Sequence, residues 1–446
     1  MPPFKSAIRT IHFVSLGCAK NRVDTEVMAG IAVEQGLRIV ANPLDAEIIV
    51  VNTCGFIRSA KEESIQTLLE MARYRTSGRL RLLVSAGCLS QRYGEELARN
   101  MPELSHVFGT SYPDWIARIV DRSAPRVQIG PAGHFLQDIK TPRFIQGKNP
   151  SAYLKIADGC SRRCAFCAIP LIRGKAKSRA VGEIRREVEK MAGHGIKEIC
   201  LVAQDSSAYG RDLNRGIDLV RLLRVLNSTP GITWIRLLYL YPDRVIYRLL
   251  EALPDLPKVV PYLDIPIQHA SDRMLKEMRR GHHASSLRRL MERIRKQSPQ
   301  IFLRTTVLVG YPTESESDFK ALLDFLAEIE FDHIGAFRYS REEGTRSYAR
   351  EPRVPPAVSY SRLRKIMALG RRISKRRNKM LNGKTVDVLV EGAADDDGFV
   401  LFGRHQGQAP EVDGVTYIVS SSAQFGDTIR ARVIKSDAFD LVVEPI

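Results

Sequence analysis

Cys160, Cys164 and Cys167 form a C-x3-C-x2-C run. Three thiolates on one tight loop can hold three irons of a 4Fe-4S cube and leave the fourth iron open to a ligand. Seven cysteines scattered at random over 446 residues would give this spacing about once in six hundred chains. Zinc is the competing reading, but structural zinc is closed by four ligands and no fourth Cys or His stands near this run. Three more cysteines, Cys18, Cys54 and Cys88, share a setting rather than a motif. Each follows an apolar, strand-like run, at residues 11–16, 47–51 and 80–85. In a parallel sheet the carboxyl ends of the strands lie on one edge, where ligands collect, so three thiolates can converge without being close in sequence. Gly17, Gly55 and Gly87 beside them let the backbone approach a bulky group. One such cysteine alone reads as a buried strand cap; three together read as ligands of a second cluster. Cys200, inside an apolar strand, reads as core.

The elements that must position these residues follow from alternating patterns. Helical stretches at 23–35 and 59–74 separate the first three strands, which predicts a parallel sheet with covering helices. Residues 123–145 are richer in Pro and Gly and read as a linker. Six strand candidates follow, at 153–157, 198–203, 234–240, 262–268, 303–310 and 333–340, with helical patterns such as 182–192 and 316–330 between them. Six βα units in this span predict a partial (βα)6 barrel whose active site lies at the carboxyl ends of the strands. Residues 361–380 hold nine Lys or Arg and no acid, a basic helix closing that unit. Beyond it, short β-rich runs at 385–390, 399–403, 416–420, 428–434 and 439–443 predict a small β-barrel. The expected division is therefore 8–122, linker 123–145, barrel 146–380 and β-barrel 381–446, an α/β fold throughout its first two units.

No uninterrupted apolar stretch reaches the roughly 18 residues of a membrane span, and the first ten residues lack a signal-peptide pattern. The expectation is a cytoplasmic protein without a membrane partner. Its net charge of +18 suggests a polyanionic neighbour such as RNA or the ribosome. The charge is uneven: residues 381–446 carry five Lys or Arg against eleven Asp or Glu, a net of −6, leaving +24 on the first 380. An acidic β-barrel is poorly suited to grip phosphates and better suited to a basic protein.

The cysteine run resembles the signature of the radical SAM superfamily. With both cysteine sets and the terminal β-barrel, the whole chain resembles the methylthiotransferases. That resemblance implies an N-terminal methylthiotransferase domain, a radical SAM barrel and a C-terminal TRAM domain. It implies two 4Fe-4S clusters, one on Cys160, Cys164 and Cys167 and an auxiliary one on Cys18, Cys54 and Cys88. S-adenosylmethionine would serve as both methyl donor and radical source. Several segments are similar to the branch that modifies the β-carbon of an aspartate in ribosomal protein S-twelve: Val14-Ser-Leu-Gly-Cys18, Val51-Asn-Thr-Cys-Gly-Phe56, Gln204-Asp-Ser-Ser-Ala-Tyr-Gly210, Tyr239-Leu-Tyr-Pro242, Pro261-Tyr-Leu-Asp-Ile-Pro266, Gln268-His-Ala-Ser271 and Ala409-Pro-Glu-Val-Asp-Gly414. The alternative branch modifies an adenosine of tRNA. The turns Gly310-Tyr-Pro-Thr-Glu-Ser-Glu316 and Gly403-Arg-His-Gln-Gly407 depart from the family pattern. The implied partners are ribosomal protein S-twelve, free or within the ribosome, and an electron donor protein; the basic helix, by its charge, reads as an rRNA contact or as a solvated face. Gln204 and Asp205 at the end of the second barrel strand, Arg304 at the start of the fifth and Gly310 after it are the expected S-adenosylmethionine contacts at the barrel mouth, with buried structural roles as the competing reading. His269 reads as a satisfied core histidine.

Overall fold

Apolar runs bounded by glycine, alternating with helices, build the first sheet. The computed structural model describes residues 8–111, 113–145, 149–213, 216–394, 400–419 and 422–446. Strands β1 (Thr10–Ser15), β2 (Arg38–Ile39), β3 (Ile48–Thr53), β4 (Leu82–Gly87), β5 (His106–Phe108) and β6 (Val127–Gln128) pair in the order β2-β1-β3-β4-β5-β6, all parallel. Every residue of β3 and β4 is buried, because both faces are covered, as parallel sheets require. Met28 and Ala32 of the helix Ala19–Glu34 pack on one face with Trp115. Leu68 of Arg58–Ala72 and Leu89 and Leu97 of Cys88–Asn100 pack on the other. The sequence shows three of these strands. The other three run two or three residues each, too short for a periodic pattern.

The second unit runs β7 (Ser151–Lys155), a two-strand antiparallel ribbon of β8 (Ala157–Asp158) and β9 (Lys177–Ser178), then β10 (Glu198–Val202), β11 (Trp234–Leu237), β12 (Val259–Asp264), β13 (Phe302–Val309) and β14 (His333–Arg338). The main strands form an open parallel sheet, β14-β13-β12-β11-β10-β7. Alternate residues divide between its faces. Ile199, Leu201, Ile235, Leu237, Leu263 and Leu303 face the outer helices, while Tyr153, Cys200, Val202, Trp234, Val260 and Tyr262 form an inner cluster. Cys200 is fully buried there, a core residue. The fourth barrel strand begins and ends earlier than its apolar run suggests. Pro266 has no N–H for the ladder, and beyond it only Gln268 makes an isolated bridge, to Val307. The basic stretch lies in a helix, Pro356–Lys379, whose Gly370 rests against Ile334 of β14.

The last unit is a closed five-strand barrel of β15 (Thr385–Ala393), β16 (Leu401–His405), β17 (Thr416–Ile418), β18 (Thr428–Ser436) and β19 (Leu441–Pro445). Phe399 and Ser420, at the ends of two expected strands, and the acidic Asp395, Asp396 and Asp397 lie outside the described residues. The loop after β16 enters the open parallel barrel: Ala409 joins the inner cluster with Tyr153 and Tyr262, as do Ala19 and Val23 of the first helix. Polar contacts hold it there. Glu198 accepts from Arg236 at 2.7 Å and Arg404 at 2.5 Å. Asp413 accepts from Tyr262 at 2.7 Å and Arg304 at 3.0 Å. These pairs revise the reading of the acidic barrel as a face for a basic protein. Asp413 and Glu391 are ion-paired to Arg304 and Arg404 and turned inward, while Glu411 pairs with Arg22 but stays half-exposed, so part of the counted negative charge is not on the surface.

Candidate active site

The C-x3-C-x2-C loop leaves the sheet through β8 and is braced by its ribbon. Gly159 has φ +78°, and a Cβ there would stand 2.2 Å from the Lys175 carbonyl oxygen, so only glycine lets the chain turn into the loop. The Cys160 N–H donates to the Gly174 carbonyl at 3.0 Å and the Ala165 N–H to that of Met278. Cys160, Cys164 and Cys167 are all half-buried and free. Burial, with smaller contributions from Asp205 and Cys164, pushes the Cys160 thiol up to about 11, and burial with Cys164 and Cys160 pushes the Cys167 thiol up to about 12. The buried Arg280 brings Nη1 to 3.5 Å from Cys164 Sγ and Nη2 to 2.7 Å from the Pro266 carbonyl. Arg162 ties the loop to the mouth, donating to Asp205 at 2.6 Å and Asp243 at 2.7 Å.

Cys18, Cys54 and Cys88 follow β1, β3 and β4, which are adjacent in the sheet. Gly17 packs on Cys54, its hypothetical Cβ 3.1 Å from Cys54 Sγ. Asn21 ties the three segments together: its Nδ2 donates to the Leu16 and Thr53 carbonyls at 2.9 and 3.0 Å, and its Oδ1 lies 3.4 Å from Cys88 Sγ. Cys18 is the N-cap of one helix and Cys88 the first residue of another, positions where the helix dipole favours a thiolate. Burial pushes the Cys54 thiol up to about 12, with Cys88 and Cys18 adding to it. Burial likewise raises Cys88, against the pull of Arg173. At Cys18 desolvation is outweighed by Lys20, the Asn21 N–H and Arg173, and the thiol is lowered.

One side chain links a cysteine of one set to the residue that leads into the loop of the other. The buried Arg173 donates to Cys88 Sγ at 3.3 Å and Asn21 Oδ1 at 2.8 Å, and pairs with Asp158 at 3.2 Å and Asp24 at 2.6 Å. Asp158 directly precedes the Gly159-Cys160 turn. Lys155 and Gln204 also contact it, at 3.2 and 2.7 Å; burial works to raise its carboxyl, but Lys155 and Arg173 hold it well below the usual range.

The expected cofactor contacts divide. Gln204 and Asp205 stand at the cysteine loop, and Gln204 Oε1 is a buried acceptor without a hydrogen-bond partner among the described residues. Arg304 does not join them. It is the third residue of β13, not at its carboxyl end, and is committed to Asp413, with Asp264 at 3.7 Å. Gly310, at φ +73°, donates to Glu314 at 2.6 Å, within a cluster that includes Arg362 and His269. His269 Nδ1 accepts from the backbone N–H groups of Ala270 and Ser271, so its proton sits on Nε2, donated to Glu314 at 3.0 Å. It is a satisfied core histidine. Asn21, Arg162, Arg173 and Arg280 were not legible from the sequence, since each meets its partners only through tertiary packing. The Asp158-Gly159 pair before Cys160 is the one local hint.

Both thiol sets suit a cluster. Each offers three free cysteines and a buried cation beside one of the sulfurs. Among the described residues no three Cys, His, Asp or Glu are gathered for a single metal ion; a cube spreads its ligands more widely. A cleft of about 920 Å³ between the linker, the helix Val181–Gly193 and Phe425–Asp427 contains none of these cysteines.

The chain matches three families in succession: Uncharacterized protein family UPF0004 over residues 10–109, the Radical SAM superfamily over 154–326 and the TRAM domain over 383–446. Among solved structures, its fold is similar to the radical S-adenosylmethionine methyltransferase TsrM from Kitasatospora setae, described with cobalamin and a 4Fe-4S cluster bound. The TM-score is 0.53 at 14% identity, over 77% of this chain and 74% of that one. It is also similar to the cobalamin-dependent S-adenosylmethionine radical enzyme OxsB, with a TM-score of 0.52 at 12% identity, over 81% of this chain and 56% of that one. The fold and the cysteine loop at its mouth define the class, a radical SAM enzyme. Relatives called ribosomal protein uS12 methylthiotransferase RimO match almost end to end. The one from Sorangium cellulosum is 45% identical over 98% of this chain and 91% of its own; that from Acetivibrio thermocellus is 42% identical over 98% of each. The chain belongs to this RimO family of methylthiotransferases. No helix among the described residues is long and apolar enough to cross a membrane.

Proposed function

We propose that this chain transfers a methylthio group to the β-carbon of an aspartate in ribosomal protein uS12. The observation that carries this reading is the near end-to-end identity of 45% with a uS12 methylthiotransferase. The paired cysteine sets joined through Arg173 support it. Cys160, Cys164 and Cys167 would hold one 4Fe-4S cluster and Cys18, Cys54 and Cys88 the other, and with S-adenosylmethionine these groups supply the radical and the sulfur. The protein's part is placement and shielding. Arg280 and Arg173 offset thiolate charge at the two sets. Gln204 Oε1 offers an unused acceptor to the cofactor's ammonium, and Arg162, held by Asp205 and Asp243, fixes the loop at the mouth. The division into 8–122, 123–145, 146–380 and 381–446 fits this arrangement. An electron donor protein in the cytoplasm would reduce the clusters, and the exposed Arg364, Arg371, Arg372 and Lys379 of the last long helix offer a face to rRNA. Incubating the reconstituted enzyme separately with uS12 and with tRNA, followed by mass analysis, tests the reading. A methylthio gain on uS12 is expected; a gain on tRNA with none on the protein would overturn it.

A further inference from the structure

Eight Lys or Arg residues are buried as whole residues among those described. Six have a carboxylate partner: Lys155, Arg173, Arg179, Arg236, Arg362 and Arg404. The other two, Lys20 and Arg280, have no ion pair among the described residues, and each stands at one of the cysteine sets. Arg280 is accounted for by Cys164 Sγ and the Pro266 carbonyl. Lys20 has no carboxylate partner of its own. Its ammonium lies 3.5 Å from the centroid of the Tyr239 ring and is supported by Tyr239, then by Cys18 and Asp158. Asp158 is already committed to Lys155, Arg173 and Gln204. Tyr239 is held under Lys20 at φ +61°, a costly backbone for a non-glycine residue, with its N–H bonded to Asp264 at 2.9 Å. A buried cation without an ion-paired carboxylate is expensive, and Lys20 is offset by Tyr239, Cys18 and Asp158 alone among its named neighbours.

We propose that Lys20 binds the side-chain carboxylate of the substrate aspartate. This rests on the functional reading above. The carboxylate is one bond from the β-carbon that must receive sulfur, so the cation that fixes it belongs beside the sulfur-bearing set, where Lys20 stands next to Cys18. Tyr239, at the barrel mouth, supplies a flat, partly apolar wall for the same side chain.

The test uses reconstituted wild type, Lys20→Gln and Lys20→Arg, with uS12 and its Asp→Asn form at the modified position. Iron content, equilibrium binding and methylthiolation are measured. Lys20→Gln is expected to keep its iron, to bind uS12 about tenfold or more weakly, and to lose the wild type's preference for Asp over Asn; Lys20→Arg should recover part of both. Unchanged binding and an unchanged Asp preference in Lys20→Gln would overturn the proposal alone. So would loss of the iron held by the Cys18 set, which would make Lys20 a cluster counter-ion. Wild type that leaves uS12 unmodified would overturn the functional reading and this proposal with it.

Discussion

Arg173 shows at the scale of single residues how the two thiol sets are joined. It is bonded to Cys88 and to the aspartate that leads into the Cys160 turn. The cysteines were legible from type and setting. The arginine was not, because its partners Asn21, Asp24, Cys88 and Asp158 lie 15 to 152 positions away. Cys54 tests the division of labour. Replacing it with Ala should lower iron from about eight to about four per chain, while the cluster on Cys160, Cys164 and Cys167 remains detectable by electron paramagnetic resonance and still supports cleavage of S-adenosylmethionine. Four irons in the fully reconstituted wild type would contradict a second cluster.

At the scale of elements, the strand ends do the placing. β1, β3 and β4 each stop just before a cysteine, and Gly87 makes the sharpest of these stops. Its φ is +95°, and a Cβ would lie 2.2 Å from Asn52 Oδ1. Gly87→Ala is therefore expected to cost about 1–3 kcal/mol and to loosen Cys88, read as a lower unfolding midpoint together with reduced iron at the auxiliary set. Unchanged midpoint and iron would show that the edge tolerates the displacement. The long parallel strands were legible because apolar runs between helices leave few alternatives. The strands β2, β5 and β6 were not, since paired neighbours rather than their own residues define them. The end of β12 was misjudged for another reason: the apolar run continues past Asp264, but pairing is interrupted around Pro266.

At the scale of the molecule, three units share one interior. The loop after β16 fills the open barrel, and Arg304, expected at the cofactor, is used to hold it. Sequence shows that the C-terminal barrel is acidic but not that Asp413 faces inward, because its ion pair with Arg304 of another unit leaves no spacing to read. Glu198 is the titratable anchor of this docking. Burial works to raise its carboxyl, but Arg404 and Arg236 bring it down from 4.5 to about 2. A carboxyl lowered by folding stabilises fully above its unfolded value and loses that effect as pH falls through its folded one. Glu198 should thus contribute on the order of 3 kcal/mol at neutral pH, lost between about 4.5 and 2. Unfolding measured against pH should show Glu198→Gln less stable at pH 7 and approaching wild type as pH falls; parallel curves would contradict this. The central claim is tested most directly by fragment mass spectrometry of uS12 after reaction with reconstituted enzyme and methyl-labelled S-adenosylmethionine. The account predicts one labelled methylthio group on the β-carbon of an aspartate, and label in tRNA with none on the protein would contradict it.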